Sequence, residues 1–364
     1  MRVVVSVLSA CLVASNAVPV PPGLFGISDS TGLVSGEVVT RALVLRAAQS
    51  GICHRIVALL PCALLAVNLS TAVCTPIGPS LPTEAGAQQL SAMDNANGLL
   101  YMMGYNFTSG KANLISFRLA DGNIATRTDL SFMEPDLVGI GQSIAVDVRG
   151  RVIIGGQMTD GGAHLIGYVD PTTGTFTQVA SLSPTLQDGL GSVTGYDVTT
   201  DAVIVSFVSA SGASELLAVS MATGNVTHTI IDNWSNGQNV QALAYSAADH
   251  AFYGFGINSD STARTLVRLD ASSYALTVVG EIQKYLVALG PIVALDDALG
   301  VAYWMGAIGA TTSPFYLVGV NTRDASIASA AGPIASPEPW SLQWYAGGPA
   351  AAPNKAAAVA AALL

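Results

Sequence analysis

The sequence predicts an all-β fold, a β-propeller of four-stranded blades, and three observations predict it. Apolar residues make up 51% of the chain but occur in short runs broken by Gly, Asn, Asp, Ser and Thr, which is typical of strands and turns. Two different segments recur with a period of about fifty residues, the length of one four-stranded repeat. The segments lack the 3.6-residue periodicity of helices, so helical repeats are excluded.

The first recurring segment is a short apolar strand, a turn rich in Thr, Gly and Asp, and a Thr-rich strand. Successive copies begin 50, 51, 51, 50 and 51 residues apart. Their first residues are Leu64, Leu114, Leu165, Leu216, Leu266 and Leu317. We expect these leucines to occupy matching sites in successive sheets.

The second recurring segment is an apolar strand that ends near Asp, a turn, and a strongly apolar strand. The positions that define it are Asp94, Asp147, Asp197, Ser246 and Asp296, which are 53, 50, 49 and 50 residues apart. Each unit therefore has four strands, A to D, whose sheet has two apolar faces. Stacking such sheets in a closed ring buries both faces of every sheet and leaves no sheet at an open end of the stack.

The ends of the chain are expected to close the ring together, because a sixth copy of the second segment begins at Ser341 and breaks off. Six blades result if residues 64–78 supply the outer strands of that copy. Residues 24–39 also resemble strands C and D, and two apolar runs after them would complete another blade, so we predict seven blades with six as the alternative. The predicted propeller spans 18–348, followed by an Ala-rich tail or closing strand over 349–364.

The charge of the chain argues against a nucleic-acid partner. The formal net charge is −10, and Lys and Arg, 14 in all, form no cluster that could neutralise phosphates. We expect a monomer whose partner is an extracellular glycan or protein.

Residues 1–17 predict a secretory signal peptide, with Arg2, an apolar core and a small-x-small end at Ser15 and Ala17. A buried first strand is the alternative. Four sequons, which predict a glycoprotein, agree with a secreted, extracellular location: Asn68, Asn106, Asn225 and Asn233. No later run approaches the roughly 20 apolar residues of a transmembrane span, although 356–364 faintly resembles a lipid-anchor signal.

The cysteines predict at most one disulfide bond within the exported chain. Cys53, Cys62 and Cys74 remain after the signal, so two could pair and one would be left over. Neither Cys nor His residues show the short spacing of a zinc site, so we predict no metal and no cofactor.

One turn motif resembles that of the quinoprotein-like and related β-propellers, whose blades often contain a strand, Asp-x-x-Thr-Gly and a second strand. It is present as Val169-Asp-Pro-Thr-Thr-Gly174, and a shorter form, Met221-Ala-Thr-Gly224, lacks the Asp. The resemblance implies the fold. The motif mainly encodes the C–D turn, so no functional residue follows from it.

A ligand site is predicted at the channel mouth, on the face built by the D–A and B–C loops. Aromatic rings beside carboxylates and amides suit a sugar or a peptide. The candidate residues are Trp234, Trp340, Glu134, Asp136 and Asp188, together with Gln89, Gln142 and Gln241, which lie five residues before the Asp-type position. A wide hydrated funnel that simply favours polar residues is the alternative explanation of the glutamines.

The recurring Asp94, Asp147, Asp197 and Asp296 are predicted to have a structural role in the A–B turns, because Asp there accepts hydrogen bonds from nearby backbone amides. No catalytic motif is present. The sequence therefore predicts a non-enzymatic ligand-binding propeller. The alternative is a secreted hydrolase or lyase that uses Glu134, Asp136 and Asp188, two of them about 5–10 Å apart.

Overall fold

A computed structural model describes the chain in ranges that together contain only β-strands and turns. The described ranges are 23–29, 62–67, 70–72, 74–79, 85–106, 108–134, 143–159, 163–182, 194–208, 214–230, 240–257, 264–282, 285–288, 294–308, 315–334 and 339–345. No helix within them is long and apolar enough to cross a bilayer. The signal segment 1–17, Cys53 and the tail 349–364 lie outside the described residues.

The regular elements of these ranges are short strands. They are β1 (Gly23–Asp29), β2 (Cys62–Val67), β3 (Cys74–Ile77), β4 (Ala85–Asp94), β5 (Leu99–Asn106), β6 (Lys111–Arg118), β7 (Ile124–Asp129), β8 (Ser143–Val146), β9 (Val152–Gln157), β10 (His164–Val169), β11 (Phe176–Leu182), β12 (Thr194–Asp197), β13 (Ala202–Val208), β14 (Ser214–Ser220), β15 (Val226–Ile230), β16 (Val240–Ser246), β17 (Ala251–Ile257), β18 (Arg264–Asp270), β19 (Leu276–Ile282), β20 (Tyr285–Ala288), β21 (Ala294–Asp296), β22 (Val301–Ile308), β23 (Phe315–Asn321), β24 (Ile327–Ala331) and β25 (Pro339–Tyr345).

Five blades are built from consecutive strands. Blades 1 to 4 are the antiparallel sheets β4–β7, β8–β11, β12–β15 and β16–β19, and in blade 5 both β20 and β21 pair with β22, followed by β23 and β24. A further sheet, the closing sheet, has the order β25-β1-β2-β3 and so combines the two ends of the chain. Closure of the ring by N- and C-terminal strands is therefore confirmed.

The innermost strands contact one another around a complete cycle. β25 contacts β4, β4 contacts β8, β8 contacts β12, β12 contacts β16, β16 contacts β21, and β21 contacts β25. This cycle is what a propeller requires, because the first strand of every sheet lines one common axis. The fold is a β-propeller with four-stranded blades.

The preferred number of seven blades is wrong: the described ranges form five blades of consecutive strands and the closing sheet, six sheets in all, and no seventh sheet occurs among them. The seven-bladed arrangement assigned residues from Leu24 onwards to strands C and D of a separate blade. Instead β1 lies between β2 and β25, with Leu24 opposite Val67 on one side and opposite Trp344 on the other. β1 (residues 23–29) is thus the second strand of the closing sheet, because it pairs with β25 on one side and with β2 on the other.

The hydrophobic core consists of separate layers between successive sheets. One cluster joins the closing sheet to blade 1, with Leu64 against Ile115 and Phe117. Four more join blades 1 and 2, 2 and 3, 3 and 4, and 4 and 5. Because both faces of each sheet are apolar, blades 1 to 4 each bury one face against the preceding sheet and the other against the following one.

The leucines that begin the first recurring segment lie at matching positions in successive blades, except in blade 2. The C–D turns begin at Arg118, Asp170, Ser220, Asp270 and Asn321, where each turn residue donates its amide to the carbonyl five residues later. The residues four before these positions are Leu114, Ile166, Leu216, Leu266 and Leu317, all at most 2% exposed. Leu165 is half-buried and packs against the opposite interface. The predicted register is wrong by one residue in blade 2, because Leu165 and Ile166 are both apolar and only the strand pairing distinguishes them.

The C–D turns press against strand D of the preceding blade. Their fifth residue is left-handed, as in Gly174 with φ 71° and Ala325 with φ 59°. A Cβ at Gly174 would collide with the backbone carbonyl of Asp129 in β7. Blade 5 has Ala325 at this place, and the residue of β19 that faces it is Gly280, where an added Cβ would lie 2.9 Å from the Ala325 Cβ. In these two contacts, one of the two facing residues is therefore a glycine.

The cysteines of the closing sheet cannot pair with each other. Cys74 lies opposite Val67 in the β2–β3 register. Cys62 is at the other end of β2, about 17 Å away at about 3.4 Å per residue, whereas bridged Cα atoms lie about 4.4–6.8 Å apart. Among the three cysteines that remain after the predicted signal peptide, a disulfide therefore requires Cys53, which lies outside the described residues, and the disulfide stays a prediction.

We predict that Gly280→Ala destabilises the protein and that Ala325→Gly reverses the effect. The added methyl overpacks the contact between β19 and the blade 5 turn, at a cost of about 1–3 kcal/mol. Urea unfolding should show this loss in the single variant, whereas in the Ala325→Gly background Gly280→Ala should be close to neutral. Equal costs in both backgrounds would show that Ala325 does not limit the space at Gly280.

Candidate functional site

The mouth end of the innermost strands is irregular in the blades where it is described. The pairing of β4 with β5 shifts between Ala87 and Ser91, and that of β16 with β17 shifts between Gln241 and Leu243. In β25 the residue between Pro339 and Ser341 has no partner in β1. Bulges of this kind re-aim side chains and are common beside binding sites.

Three predicted ligand-binding residues fall on these irregularities. Gln89 lies within the shifted part of β4, Gln241 flanks the shift in β16, and Trp340 is the unpaired residue of β25. The backbone therefore brings together, around one mouth, three positions that are far apart in the sequence. Their side chains lie outside the described part of the chain, so only this backbone placement is established.

Of the five remaining predicted site residues, four lie outside the described residues: Asp136, Gln142, Asp188 and Trp234. Glu134 is described and exposed, at the start of the loop that leads into blade 2. Its backbone amide donates to the Met158 carbonyl at 2.8 Å, which ties this loop to the end of β9. Only one of the three proposed catalytic carboxylates can be placed, so the hydrolase remains an untested prediction.

Two of the predicted glycosylation sites lie in surface turns. Asn106 ends β5, and its Oδ1 accepts hydrogen bonds from the amides of Thr108 and Ser109 at 3.0 and 3.2 Å. Asn225 is exposed in the C–D turn of blade 3. Asn68 and Asn233 lie outside the described residues, and glycosylation at all four stays a prediction.

The A–B turns at the opposite end of the channel contain buried carboxylates. Asp94, Asp147, Asp197 and Asp296 are at most 5% exposed. In each, Oδ1 accepts two backbone amides of its own turn, at distances such as 3.0 Å from both Ala96 and Asn97 to Asp94. The other pairs are Arg149 and Arg151, Thr199 and Thr200, and Ala298 and Leu299. The predicted structural role of these residues is confirmed.

Three of these carboxylates also use their second oxygen. Oδ2 of Asp94 accepts Asn97 Nδ2 at 2.8 Å, and Oδ2 of Asp147 accepts Arg151 Nε at 2.6 Å. In Asp197 the donor is the Thr200 hydroxyl, at 2.5 Å. Within the described ranges no three His, Cys, Asp or Glu residues are arranged to hold a metal ion. These carboxylates are occupied in holding the turns.

Blade 4 has Ser246 in place of the turn Asp, and the next blade supplies the missing carboxylate. Asp297 of blade 5 accepts the Ser246 hydroxyl through Oδ1. Its Oδ2 accepts the amides of Ala247 and Ala248, at 3.0 and 3.1 Å. The turn of blade 4 is thus stabilised from a residue about fifty positions away, and no pattern within blade 4 indicates it.

Tyrosine hydroxyls surround the same face. Tyr196 donates to Asp201 at 2.9 Å, Tyr253 donates to Asp249 at 2.7 Å, and Tyr245 shares a 2.7 Å hydrogen bond with Thr199. Burial raises the pKa of Tyr196, and it raises the pKa of Tyr303 to about 12, with the Asp296 charge adding to the effect. Burial likewise raises the pKa of Asp296. Protonated tyrosines are therefore part of the folded structure.

Comparison with known proteins does not assign the chain to a family. The sequence matches no family model and no curated protein. Among solved structures, the SapL1 lectin in complex with alpha methyl fucoside is 12% identical, over 76% of this chain and 94% of that one, with a TM-score of 0.49. Regucalcin from Agrobacterium tumefaciens, a calcium-binding protein, is 16% identical over 68% and 74%, with a TM-score of 0.44. TolB from Acinetobacter baumannii is 12% identical over 74% and 64%, with a TM-score of 0.45. These similarities are too low to argue from, and the fold assignment depends on the sheet order.

We predict that Asp297→Asn destabilises the protein by about 1–3 kcal/mol, because the Ser246 turn loses its charged acceptor. Ser246→Asp in the same chain should restore most of the loss, since it recreates the arrangement of the other blades. Thermal melts of both variants and of Ser246→Asp alone complete the cycle. The single Ser246→Asp variant should itself be less stable, because two carboxylates then meet at one turn. If the effects of Asp297→Asn and Ser246→Asp on the melting temperature were simply additive, Asp297 would not be the carboxylate that supports the Ser246 turn.

We predict that stability falls with rising pH from about 10 and continues to fall through about 12. The folded state holds the Tyr303 proton more tightly than the unfolded chain, whose tyrosines ionise near pH 10. The contribution of protonated Tyr303 to the free energy of unfolding is thus complete below pH 10 and is lost as the pH rises above it. Urea midpoints measured between pH 8 and 11.5 should fall less steeply for Tyr303→Phe than for the unaltered chain. Equal slopes would show that Tyr303 does not contribute.

Proposed function

We propose that the protein binds an extracellular glycan or protein at the mouth of its channel and that it is not an enzyme. The observation that carries the proposal is the coincidence of Gln89, Gln241 and Trp340 with the irregular mouth ends of three innermost strands. A regular strand would alternate its side chains between the two faces. A bulge removes that restriction and allows residues of neighbouring strands to converge on one ligand.

The contrast between the two ends of the channel supports this placement. At the far end, the buried carboxylates accept hydrogen bonds from their own turns or from a neighbouring residue, which is a structural use. At the mouth, the recurring side chain is a glutamine, which does not occur in the A–B turns. A polar residue that recurs at one place without a turn to stabilise is better suited to an external partner.

The chemistry of these side chains favours a ligand rich in hydroxyl or amide groups. Each glutamine offers two donors and an acceptor of two lone pairs, which match sugar hydroxyls or a peptide backbone. An indole supplies a flat apolar surface against which a sugar ring or a side chain packs. No charge is required of the ligand. The net charge of −10 makes a strongly anionic ligand unsuitable.

We also propose that the chain is exported and glycosylated, which its N-terminal pattern and sequons support. Asn225 is exposed and Asn106 ends a hairpin strand, so both are in surface turns where attached sugar meets no core residue. Expression in a secreting eukaryotic cell, followed by glycosidase treatment, tests this directly. Loss of a mass shift in the Asn225→Gln variant identifies the site, and an unmodified chain in the medium would refute glycosylation.

The proposed site predicts a defined mutational pattern in a glycan-array or pull-down experiment. Binding should fall at least about tenfold for Trp340→Ala or Trp234→Ala, since truncation of a tryptophan at the centre of a binding site costs about 2 kcal/mol or more. Gln89→Ala, Gln142→Ala and Gln241→Ala should each reduce binding several-fold. Gln178→Ala is the matched control, because Gln178 is exposed on β11, the outermost strand of blade 2.

The outcome separates the proposal from its alternatives. Loss of binding in the mouth variants with full binding by Gln178→Ala supports it. Wild-type binding by both tryptophan variants would place the ligand elsewhere. Turnover of a bound glycan that disappears in Glu134→Gln would instead favour the hydrolase, whose other carboxylates are Asp136 and Asp188.

A further inference from the structure

The outermost strand of each sheet has one unpaired edge within the described part of the chain. These outer strands are β3, β7, β11, β15, β19 and β24, each at the end of its sheet. An open edge presents a row of N–H and C=O groups with which another strand can pair. Folded proteins normally interrupt such an edge with a bulge, a proline or a charge.

Five of these six outer strands are interrupted. In β7, β11, β19 and β24 the pairing with strand C of the same blade shifts register within the strand. β3 has only four residues, and Pro76 is one of them. A bulge disrupts the ladder and bends the strand, and a proline removes a donor, so none of the five offers a long regular edge.

β15 of blade 3 is the exception. Its five residues pair with β14 without a shift, from Val226 opposite Val219 to Ile230 opposite Glu215. The strand contains no Pro, Asp, Glu, Lys or Arg. Val226 is 42% exposed, and Thr227 is exposed as well. β15 is therefore a regular, uncharged strand whose first residues are uncovered.

The C–D turn of blade 3 determines which backbone groups of β15 face outward. The amide of Ser220 donates to the carbonyl of Asn225 at 2.9 Å, so these two residues form a hydrogen-bonded pair of the antiparallel ladder. Hydrogen-bonded and non-hydrogen-bonded pairs alternate along such a ladder. Val226, His228 and Ile230 are therefore in non-hydrogen-bonded pairs with β14, and their amides and carbonyls point to the free edge.

The sequence of β15 is self-complementary. It reads Val-Thr-His-Thr-Ile, so its reversal exchanges one Thr for the other and Val for Ile. Antiparallel pairing with a copy of itself, centred on His228, would place Val226 opposite the partner's Ile230 and Thr227 opposite the partner's Thr229. Residues branched at Cβ favour strands, and directly opposite Thr–Thr pairs stabilise a sheet.

We propose that the protein forms a twofold-symmetric dimer in which β15 pairs with β15 of a second copy. The outward amides and carbonyls of Val226, His228 and Ile230 then all find partners, in about six hydrogen bonds. The contact uses the same surface of both copies, so the assembly closes at two. A single pair of strands buries little surface, so the dimer should be weak and should form as the concentration rises. The proposal departs from the monomer expected from the sequence.

The contact is independent of the proposed ligand site. β15 is the strand of blade 3 farthest from the channel, whereas the mouth belongs to the innermost strands. Asn225, a predicted glycosylation site, directly precedes β15. Side chains leave a sheet at right angles to its hydrogen-bonding direction, so a sugar there and a partner strand would extend in different directions.

Sedimentation equilibrium of the full chain over a range of concentrations tests the dimer. The mean mass of the unaltered chain should rise with concentration. His228→Pro should stay monomeric, because proline removes the central outward donor, while the hydrogen bonds between β15 and β14 do not use that amide. The matched control is Gln178→Pro, at the corresponding place on β11, whose edge is already interrupted. This control should dimerise as the unaltered chain does.

A charge-exchange experiment tests the register of the pairing. Residues directly opposite each other on neighbouring strands have Cβ atoms about 4.5–5.5 Å apart. His228→Lys and His228→Glu should therefore each weaken self-association at least about fivefold, because like charges then meet at the twofold axis. An equimolar mixture of the two variants should recover the dimer, which native mass spectrometry should identify as one copy of each. Melting temperatures close to that of the unaltered chain show that the fold is retained.

Three outcomes would overturn the proposal. The first is a single monomer mass at every concentration in both the unaltered chain and Asn225→Gln, which would leave the edge to an extended segment of another protein. The second is a dimer that survives His228→Pro, since it would use another surface. The third is a mixture of His228→Lys and His228→Glu that stays monomeric at concentrations where the unaltered chain is dimeric.

Discussion

Burial of two apolar faces per sheet is the constraint on which the rest of the structure depends. A four-stranded sheet with leucine, isoleucine and valine on both sides is unstable alone in water, and it becomes stable only between two others of its kind. The core of the described residues is accordingly a series of five layers, from the closing sheet with blade 1 to blade 4 with blade 5, and no central core exists among them. The ring is the arrangement in which every sheet has two neighbours, and the pairing of β25 with β1 provides the last of them.

The turns are adapted to this layered packing. The C–D turns of blades 2 and 5 lie close against the outer strand of the preceding blade, and in each contact one of the two facing residues is a glycine. Gly174 opposite Asp129 and Ala325 opposite Gly280 are two solutions to the same steric problem. Each A–B turn is likewise held by one carboxylate, which comes from the same blade or from the next one. Asp147 stabilises its own turn, whereas the Ser246 turn depends on Asp297 of the next blade.

The two ends of the channel thus have different chemistry, and this asymmetry suggests how the propeller is used. At the far end the buried carboxylates are occupied by hydrogen bonds within the turns. At the mouth the strands lose their register where polar and aromatic residues recur.

The sequence by itself determined the all-β class, the repeat of about fifty residues, the closure by both ends and the role of the turn aspartates, because each depends on a local pattern repeated along the chain. It did not determine the register of blade 2, since neighbouring Leu165 and Ile166 are equally apolar and only hydrogen bonds to adjacent strands decide which one faces blade 3. Nor did it determine the place of residues 23–29, the pairing of Gly280 with Ala325 or the support of Ser246 by Asp297. These are contacts between parts of the chain far apart in sequence, and only the packing of one blade on the next brings them together.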